Sequence, residues 1–214
     1  MTANKNCIIR LSKYKNALSK LKSLGFVKVF SDNLADAVGV ASSIVRKDFS
    51  IFGISGSKKG GYNVDDLLQK INHILGKNDI QKVIIVGVGN IGSALIKYDG
   101  FEKEGLKICA GFDKDSSKIN KNLSVPIYHI KHLPEFVKQN KIKIGVIATP
   151  FVAANEVFEI MKKAGIKGVL NFAPVNIKMN NDDVIVQNVD LVGELESLVY
   201  FVNASKKIAN KRGR

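Results

Sequence analysis

Two textures of apolar and polar positions follow one another along the chain. In the first, Leu11, Tyr14, Ala17, Leu18, Leu21 and Leu24 recur at three- and four-residue steps and Gly25 follows, the period and the stop of one amphipathic helix. "SDNLADAVGV" opens on Ser31 or Asp32 as an N-cap and ends at Gly39, and "ASSIVRKDFSIFG" predicts a second short helix closing near Gly53, a pair that suggests helix-turn-helix. "ISGSKKGGYNV" packs glycines and two lysines between apolar flanks as a hairpin tip would, and "NVDDLLQKINHILG" reads as a further capped helix. Helix, helix, helix, wing, helix predicts a winged-helix domain over residues 1–77.

Past "GKNDIQ" the pattern changes. Continuous apolar strands "KVIIVGV", "KICAGFD", "IGVIAT" and "GVLNFA" alternate with helical segments around Ser93–Tyr98, Leu133–Gln139 and Ala153–Ala164. Unbroken apolar strands are the mark of a sheet covered on both faces, so residues 78–191 predict a Rossmann-type, doubly wound parallel sheet of the α/β class. "DLVGELESLVYFVNASKKIANKRGR" adds a long apolar helix with a basic tail, set off as residues 192–214.

Composition changes this picture mainly through charge. Thirty-three Lys+Arg against nineteen Asp+Glu give +14, a balance that favours a polyanionic partner. Up to Lys77 there are thirteen Lys/Arg and five Asp/Glu, a net of +8, so the excess concentrates where a winged helix is expected. The start "MTANKNCIIR" has no apolar signal region, and the apolar run Val83–Ile96 is too short to span a bilayer; a cytoplasmic protein is expected. Cys7 and Cys109 form no C-x-x-C pair, and Cys109, in a strand, reads as a buried inert thiol.

Gly87, Gly89 and Gly92 stand as G-x-G-x-x-G between a strand and a helix. There they allow a tight turn, close approach of backbone to a pyrophosphate, and close helix–strand packing. Asp113 ends the next strand, where a carboxylate accepts from ribose hydroxyls. It would also repel a 2′-phosphate, favouring NAD(H) over NADP(H), a preference that the neighbouring Lys114 complicates. Val88, Asn90 and Ile91 complete the loop, and Ala148, Thr149 and Pro150 follow another strand at the edge where such folds hold ligands. A Rossmann-like domain holding coenzyme A, or no dinucleotide, stays open.

Catalytic machinery is thin. His73, His129 and His132 read as surface histidines, no tyrosine is followed four residues later by lysine, and no separate substrate domain follows. No catalytic residue and no metal site are expected; a cofactor without substrate apparatus suggests sensing. Ser42, Ser43, Arg46, Lys47 and Ser50 lie on the second helix of the helix-turn-helix, the element that enters a major groove. Lys58, Lys59 and Gly60 on the wing, with Arg10 and Tyr14 on the first helix, complete the expected DNA-binding set.

The ordered stretches "RLSKYKNAL", "SDNLADAVGVASSIVRKDFSIFG", "GYNV", "VIIVGVGNIGSAL", "YDGF", "GFDKD", "VPIYHI", "AGIKGVLNFAP" and "VQNVDLVGEL" closely resemble the Rex family of redox-sensing transcriptional repressors. The resemblance implies a homodimer that binds palindromic operator DNA when NADH is low and releases it when NADH rises over NAD⁺, with the C-terminal helix swapped onto the partner. It implies that Tyr98 and Asp190 are switch residues near the nicotinamide and that Arg10 is an alternative partner for Asp190. The chain departs from the family where "GSKKGGY" places Ser57 at a usually basic position, where "FDKDSSKIN" lacks a proline, and at Phe151 and Asn155. An NAD-dependent oxidoreductase with a basic assembly domain, or a paralogue with altered DNA or ligand response, are the competing readings.

Overall fold

The computed structural model describes residues 3–57, 60–77, 79–178 and 184–212, with side chains through 204. The chain forms two compact units, Met1–Ile80 and Gln81–Arg214.

The first unit opens with α1 (Lys5–Ser23), which starts six residues before the apolar period does because the Asn4 side chain accepts the Cys7 N–H at 2.9 Å. The short strand β1 (Lys28–Val29) leads into α2 (Ser31–Val38), where the Asn33 side chain accepts the Phe30 N–H at 3.0 Å. Gly39, at φ +74°, ends α2 in the left-handed conformation that a glycine adopts without strain, and α3 (Ser42–Ile51) follows as the second helix of the expected pair. β2 (Tyr62–Asn63) pairs antiparallel with β1, and α4 (Val64–Ile74) is capped by Asn63, which accepts from the N–H groups of Asp65 and Asp66. Ser57 and Gly61 bridge the base of the wing; Lys58 and Lys59 lie outside the described residues. The core joins Leu11, Tyr14 and Leu18 to Leu34, Val45, Phe49, Leu67 and Ile71, and Phe49 meets Tyr14 and Tyr62 edge-to-face.

The second unit runs β3 (Gln81–Val86), α5 (Asn90–Ile96), α6 (Gly100–Lys103), β4 (Leu106–Asp113), β5 (Ile127–His129), α7 (Leu133–Asn140), β6 (Ile144–Ile147), α8 (Phe151–Ala164), β7 (Gly168–Asn171), β8 (Ile185–Asn188) and α9 (Leu191–Arg212). Six parallel strands lie in the order β5-β4-β3-β6-β7-β8, so the topology reverses between β3 and β6, the switch point of a doubly wound sheet. β3 is buried on both sides: Ile84 and Val86 pack with Phe112, Leu133, Ile147 and Phe158, whereas Val83 and Ile85 pack with Val146, Leu95 and Ile96. Hence its apolar run has no alternation. Strand β8 and helix α6 were not expected; each is four residues, too short for a period to show.

Among the described residues no helix is long and apolar enough to cross a membrane, and no group of three or more His, Cys, Asp or Glu could hold a metal ion. Cys109 is only half-buried, contrary to the expected buried thiol, because it lies in the less buried first half of β4; Cys7 is the buried one. Burial, followed by the Asp48 carboxylate, pushes the Cys7 thiol up to about 11.

Candidate functional site

A cleft of about 570 Å³ lies at the switch point, lined by residues that follow β3, β4, β6 and β7. Gly87, Gly89, Asn90, Ile91, Asp113, Lys114, Ala148, Thr149 and Pro150 all face it, so three separate stretches singled out in the sequence converge. The glycines divide the work. Gly87 turns the chain at φ +94°, and a Cβ there would lie 2.6 Å from the Ala148 carbonyl oxygen. A Cβ on Gly92 would overlap the Gly87 carbonyl oxygen, so Gly92 allows α5 to pack on the strand end and is itself buried. A Cβ on Gly89 would meet nothing within 4 Å, which leaves its backbone approachable from the cleft.

Asp113 is buried at 8% exposure and organises the other end of the cleft. Its Oδ2 accepts the Val88 N–H at 2.8 Å and Lys118 Nζ at 3.2 Å, while Oδ1 accepts the Asp115 N–H at 3.0 Å. Burial pushes the carboxyl up, but hydrogen bonds from the Asp115 and Val88 amides and from Lys118 outweigh it and hold Asp113 below the ordinary carboxylate value. It is an anion at neutral pH. Val88, at 7% exposure, turns its side chain inward, and its N–H serves Asp113; it does not line the cleft.

Thr149 carries the most direct sign of a ligand. Its Oγ1 is buried and has no hydrogen-bond partner among the described residues, although the residue lines the cleft; a hydroxyl so placed is costly unless something entering the cleft satisfies it. The donor set suits a dinucleotide: an open glycine backbone after β3 for a pyrophosphate, flanked by an ionised carboxylate at the end of β4 for a ribose and by the orphan hydroxyl after β6.

Sequence reasoning missed part of the lining, notably Lys118, Ile130, Phe172 and Pro174. Lys118 was legible only as the fifth residue after Asp113. Phe172 and Pro174 depend on a buried polar pair that no spacing reveals: Asn171, fully buried, donates to Val175 O at 2.6 Å and to Asn188 Oδ1 at 2.8 Å, and accepts the Ala173 N–H at 3.0 Å. Asn188 in turn brackets Ile177 through its N–H and carbonyl. Tyr98 and Asp190 do not line the cleft. Tyr98 is exposed and meets Phe101 edge-to-face, whereas Asp190 Oδ1 accepts the Gly193 N–H at 2.9 Å as the first turn of α9 begins.

On the first unit, α3 buries Val45, Asp48 and Phe49 and exposes Ser43, Arg46, Lys47 and Ser50. Arg46 Nη1 reaches Ser31 Oγ at 3.4 Å and Ser42 Oγ at 3.3 Å, and the Ser50 hydroxyl donates back to Lys47 O. Arg10 is bidentate to Asp48, at 2.6 and 2.7 Å, and the Tyr14 hydroxyl donates to the same carboxylate at 3.0 Å. Tyr14, expected in the DNA-binding set, is fully buried in the core and packs edge-to-face on Phe49 of α3. Arg10 has Asp48 as its partner and anchors the helix. Gly60 is also structural in part: its N–H donates to Ser57 Oγ at 2.6 Å, so the serine found at a usually basic position closes the wing turn.

Residues 77–175 match the family model "CoA binding domain", and residues 5–50 match "Putative DNA-binding protein N-terminus". A "Redox-sensing transcriptional repressor Rex" of Desulforamulus reducens is 40% identical over 201 residues, which span 94% of this chain and 95% of that protein. The chain belongs to the Rex family. Among solved structures, the Rex-family repressor RSP in complex with β-NAD⁺ and operator DNA superposes with TM-score 0.88 at 30% identity, covering 100% of this chain and 99% of that one. RSP in complex with β-NADH gives 0.85 at 30% identity, with 98% and 99% covered. These full-length matches join the helix-turn-helix and the cleft in one Rex architecture, a winged helix followed by a Rossmann-type sheet.

Proposed function

We propose that this chain is a homodimeric repressor that holds palindromic operator DNA when NADH is low and releases it when NADH enters the cleft. The observation that carries the reading is the orphan Thr149 hydroxyl in a glycine-lined cleft ending on the ionised Asp113, within a chain of the Rex family. Gly87, Gly89, Asn90 and Ile91 take the pyrophosphate and Asp113 the adenosine ribose. Thr149 and Pro150 lie along the dinucleotide. Bound NAD supplies a ring that carries a positive charge when oxidised and none when reduced. A carboxylate beside that ring distinguishes the two forms, and Asp190, with Tyr98, is assigned to that task.

Ser42, Ser43, Arg46, Lys47 and Ser50 present the DNA-facing surface of α3, with Lys58, Lys59 and Gly60 on the wing. A second copy of the chain covers the apolar side of α9, where Leu191, Val192, Leu195, Leu198 and Val199 are each more than half exposed. Residues 1–77, 78–191 and 192–214 serve as reading head, sensor and swapped helix. The protein acts in the cytoplasm as a regulator and turns over no substrate. Titrating a labelled operator palindrome in the presence of NADH and of NAD⁺ tests the proposal. NADH is expected to weaken binding and NAD⁺ to leave it intact; equal affinities in the two forms would overturn it.

A further inference from the structure

The central strands of the second unit begin on lysines. Lys82 of β3 stands beside Lys107 of β4 in the register of that parallel pair. Val83 pairs with Ile144 and Ile144 with Gly168. One position earlier, Lys143 therefore falls in line with Lys82, and Lys167 with Lys143, where the Lys167 N–H donates to the Lys143 carbonyl at 2.8 Å. Four adjacent strands, β4-β3-β6-β7, thus carry a row of four lysines across the edge of the sheet opposite the cleft, and all four residues are exposed.

Folding gives no reason for this row. Like charges on neighbouring strands repel each other. Lys138 at the end of α7 and Lys162 and Lys163 at the end of α8 answer the helix dipole, whereas a sheet has only a small net dipole to answer. Lys82 Nζ reaches the Asn140 carbonyl oxygen at 3.5 Å, and among the described residues no carboxylate lies within ion-pair distance of any of the four. Glu102 and Glu104, ahead of β4, offset part of the charge, and the two helix ends add to it.

The dimensions suit a nucleic-acid backbone. Neighbouring strands lie about 4.8 Å apart, so the row extends about 14 Å; over that length of axis, one strand of a DNA duplex presents about four phosphates. Every member is a lysine, a point charge that meets phosphate without reading a base. A lipid surface is met by the apolar face of an amphipathic helix flanked by its charges, and a row of strand starts supplies no such face.

We infer that this edge of the second unit is a further binding surface, for the phosphate backbone of duplex DNA of any sequence, distinct from the operator-reading surface of α3 and the wing. A repressor so equipped holds a second, non-operator segment of DNA while α3 occupies the operator.

The test uses full-length protein saturated with an unlabelled minimal operator palindrome and titrated with a fluorescent duplex of unrelated sequence, read by anisotropy. At about 50 mM salt the wild type is expected to capture the second duplex, and to lose affinity about 10²-fold by about 200 mM, the dependence that four phosphate contacts impose. Replacing all four, Lys82→Gln, Lys107→Gln, Lys143→Gln and Lys167→Gln, should weaken capture at the lower salt by more than about tenfold and leave operator affinity within about threefold of wild type. Arginine at the same four positions should retain capture, because the charge and not the lysine chain is required. Lys107→Gln with Lys143→Gln is a lighter variant should the fourfold one fold poorly, and it should lose about half of the salt slope. A wild type that captures no second duplex at the lower salt, or capture unchanged in both glutamine variants, overturns the inference and leaves operator recognition standing. Phosphatidylserine vesicles bound in place of the duplex assign the row to a membrane surface and overturn it equally. Operator binding is read before the second duplex is added, so its failure overturns the proposed function separately.

Discussion

Replacing Asp48 by alanine removes the acceptor that ties α3 to α1. The Arg10 guanidinium donates to this carboxylate twice and the Tyr14 hydroxyl once. The Asp48 side chain is 2% exposed and that of Arg10 24%. Deleting one partner of a buried pair costs about 3–5 kcal/mol because the other charge stays buried and unpaired. Arg10 can recover some hydration through its exposed quarter, so about 3 kcal/mol is expected. Part of that is the orphaned Tyr14 hydroxyl, which no water reaches at 0% exposure. Hydrogen exchange on the full-length protein reads the loss locally: amides of α1 and α3 should exchange about 10²-fold faster, while those of β3 and β6 stay as in the wild type. Arg10→Ala combined with Asp48→Ala should cost less than the two single changes summed, since the double variant leaves no buried charge. The pH dependence has a definite sign. Burial pushes the Asp48 carboxyl up, but Arg10, Cys7 and Tyr14 outweigh it and hold it below its ordinary value. Its contribution is therefore complete above the unfolded value of about 3.9 and is lost as pH falls through the folded one; Asp48→Asn should lack that acid-sensitive share. Exchange in α3 that changes less than about threefold in Asp48→Ala, or strict additivity in the double variant, would refute the anchoring argument.

Gly92→Ala should abolish nucleotide binding and lower thermal stability, because its Cβ overlaps the Gly87 carbonyl oxygen, whereas Gly89→Ala, which meets no protein atom within 4 Å, should lose nucleotide at near-normal stability; calorimetry with NADH separates the two. Leu195→Glu with Leu198→Glu should shift the protein toward monomer in sedimentation experiments, since both side chains are more than half exposed on α9. Arg46→Ala should weaken operator binding by about tenfold or more at one base position, the scale of a lost bidentate contact, with the nucleotide response intact in a gel-shift titration. A thiol reagent near pH 8 should label Cys109 in the native protein and Cys7 only after denaturation, because Cys7 is 1% exposed and its thiol is raised to about 11.

Much of the cleft was legible because its chemistry is local. Gly87, Gly89 and Gly92 act within one strand–turn–helix, and Asp113 sits one βα unit further on, at a spacing the fold imposes on any sequence that forms it. The same holds for α2 and α3, whose ends are marked by Gly39 and by a short-range capping bond at Phe30. The bond from Tyr14 to Asp48 was not legible, because a tyrosine on an amphipathic helix beside basic residues has the same pattern whether its hydroxyl meets a phosphate or a buried carboxylate thirty-four residues away.

The sequence by itself determined the longer helices and the central buried strands, where the chain must turn at glycine, and where the positive charge would concentrate, since each of these follows from periodicity, backbone freedom or composition. Tertiary structure alone decided the pairings across long separations: Arg10 with Asp48, Asn171 with Asn188, and the Val88 amide with Asp113. A buried polar group must find its partner wherever the folded chain brings one, and no local pattern encodes that address.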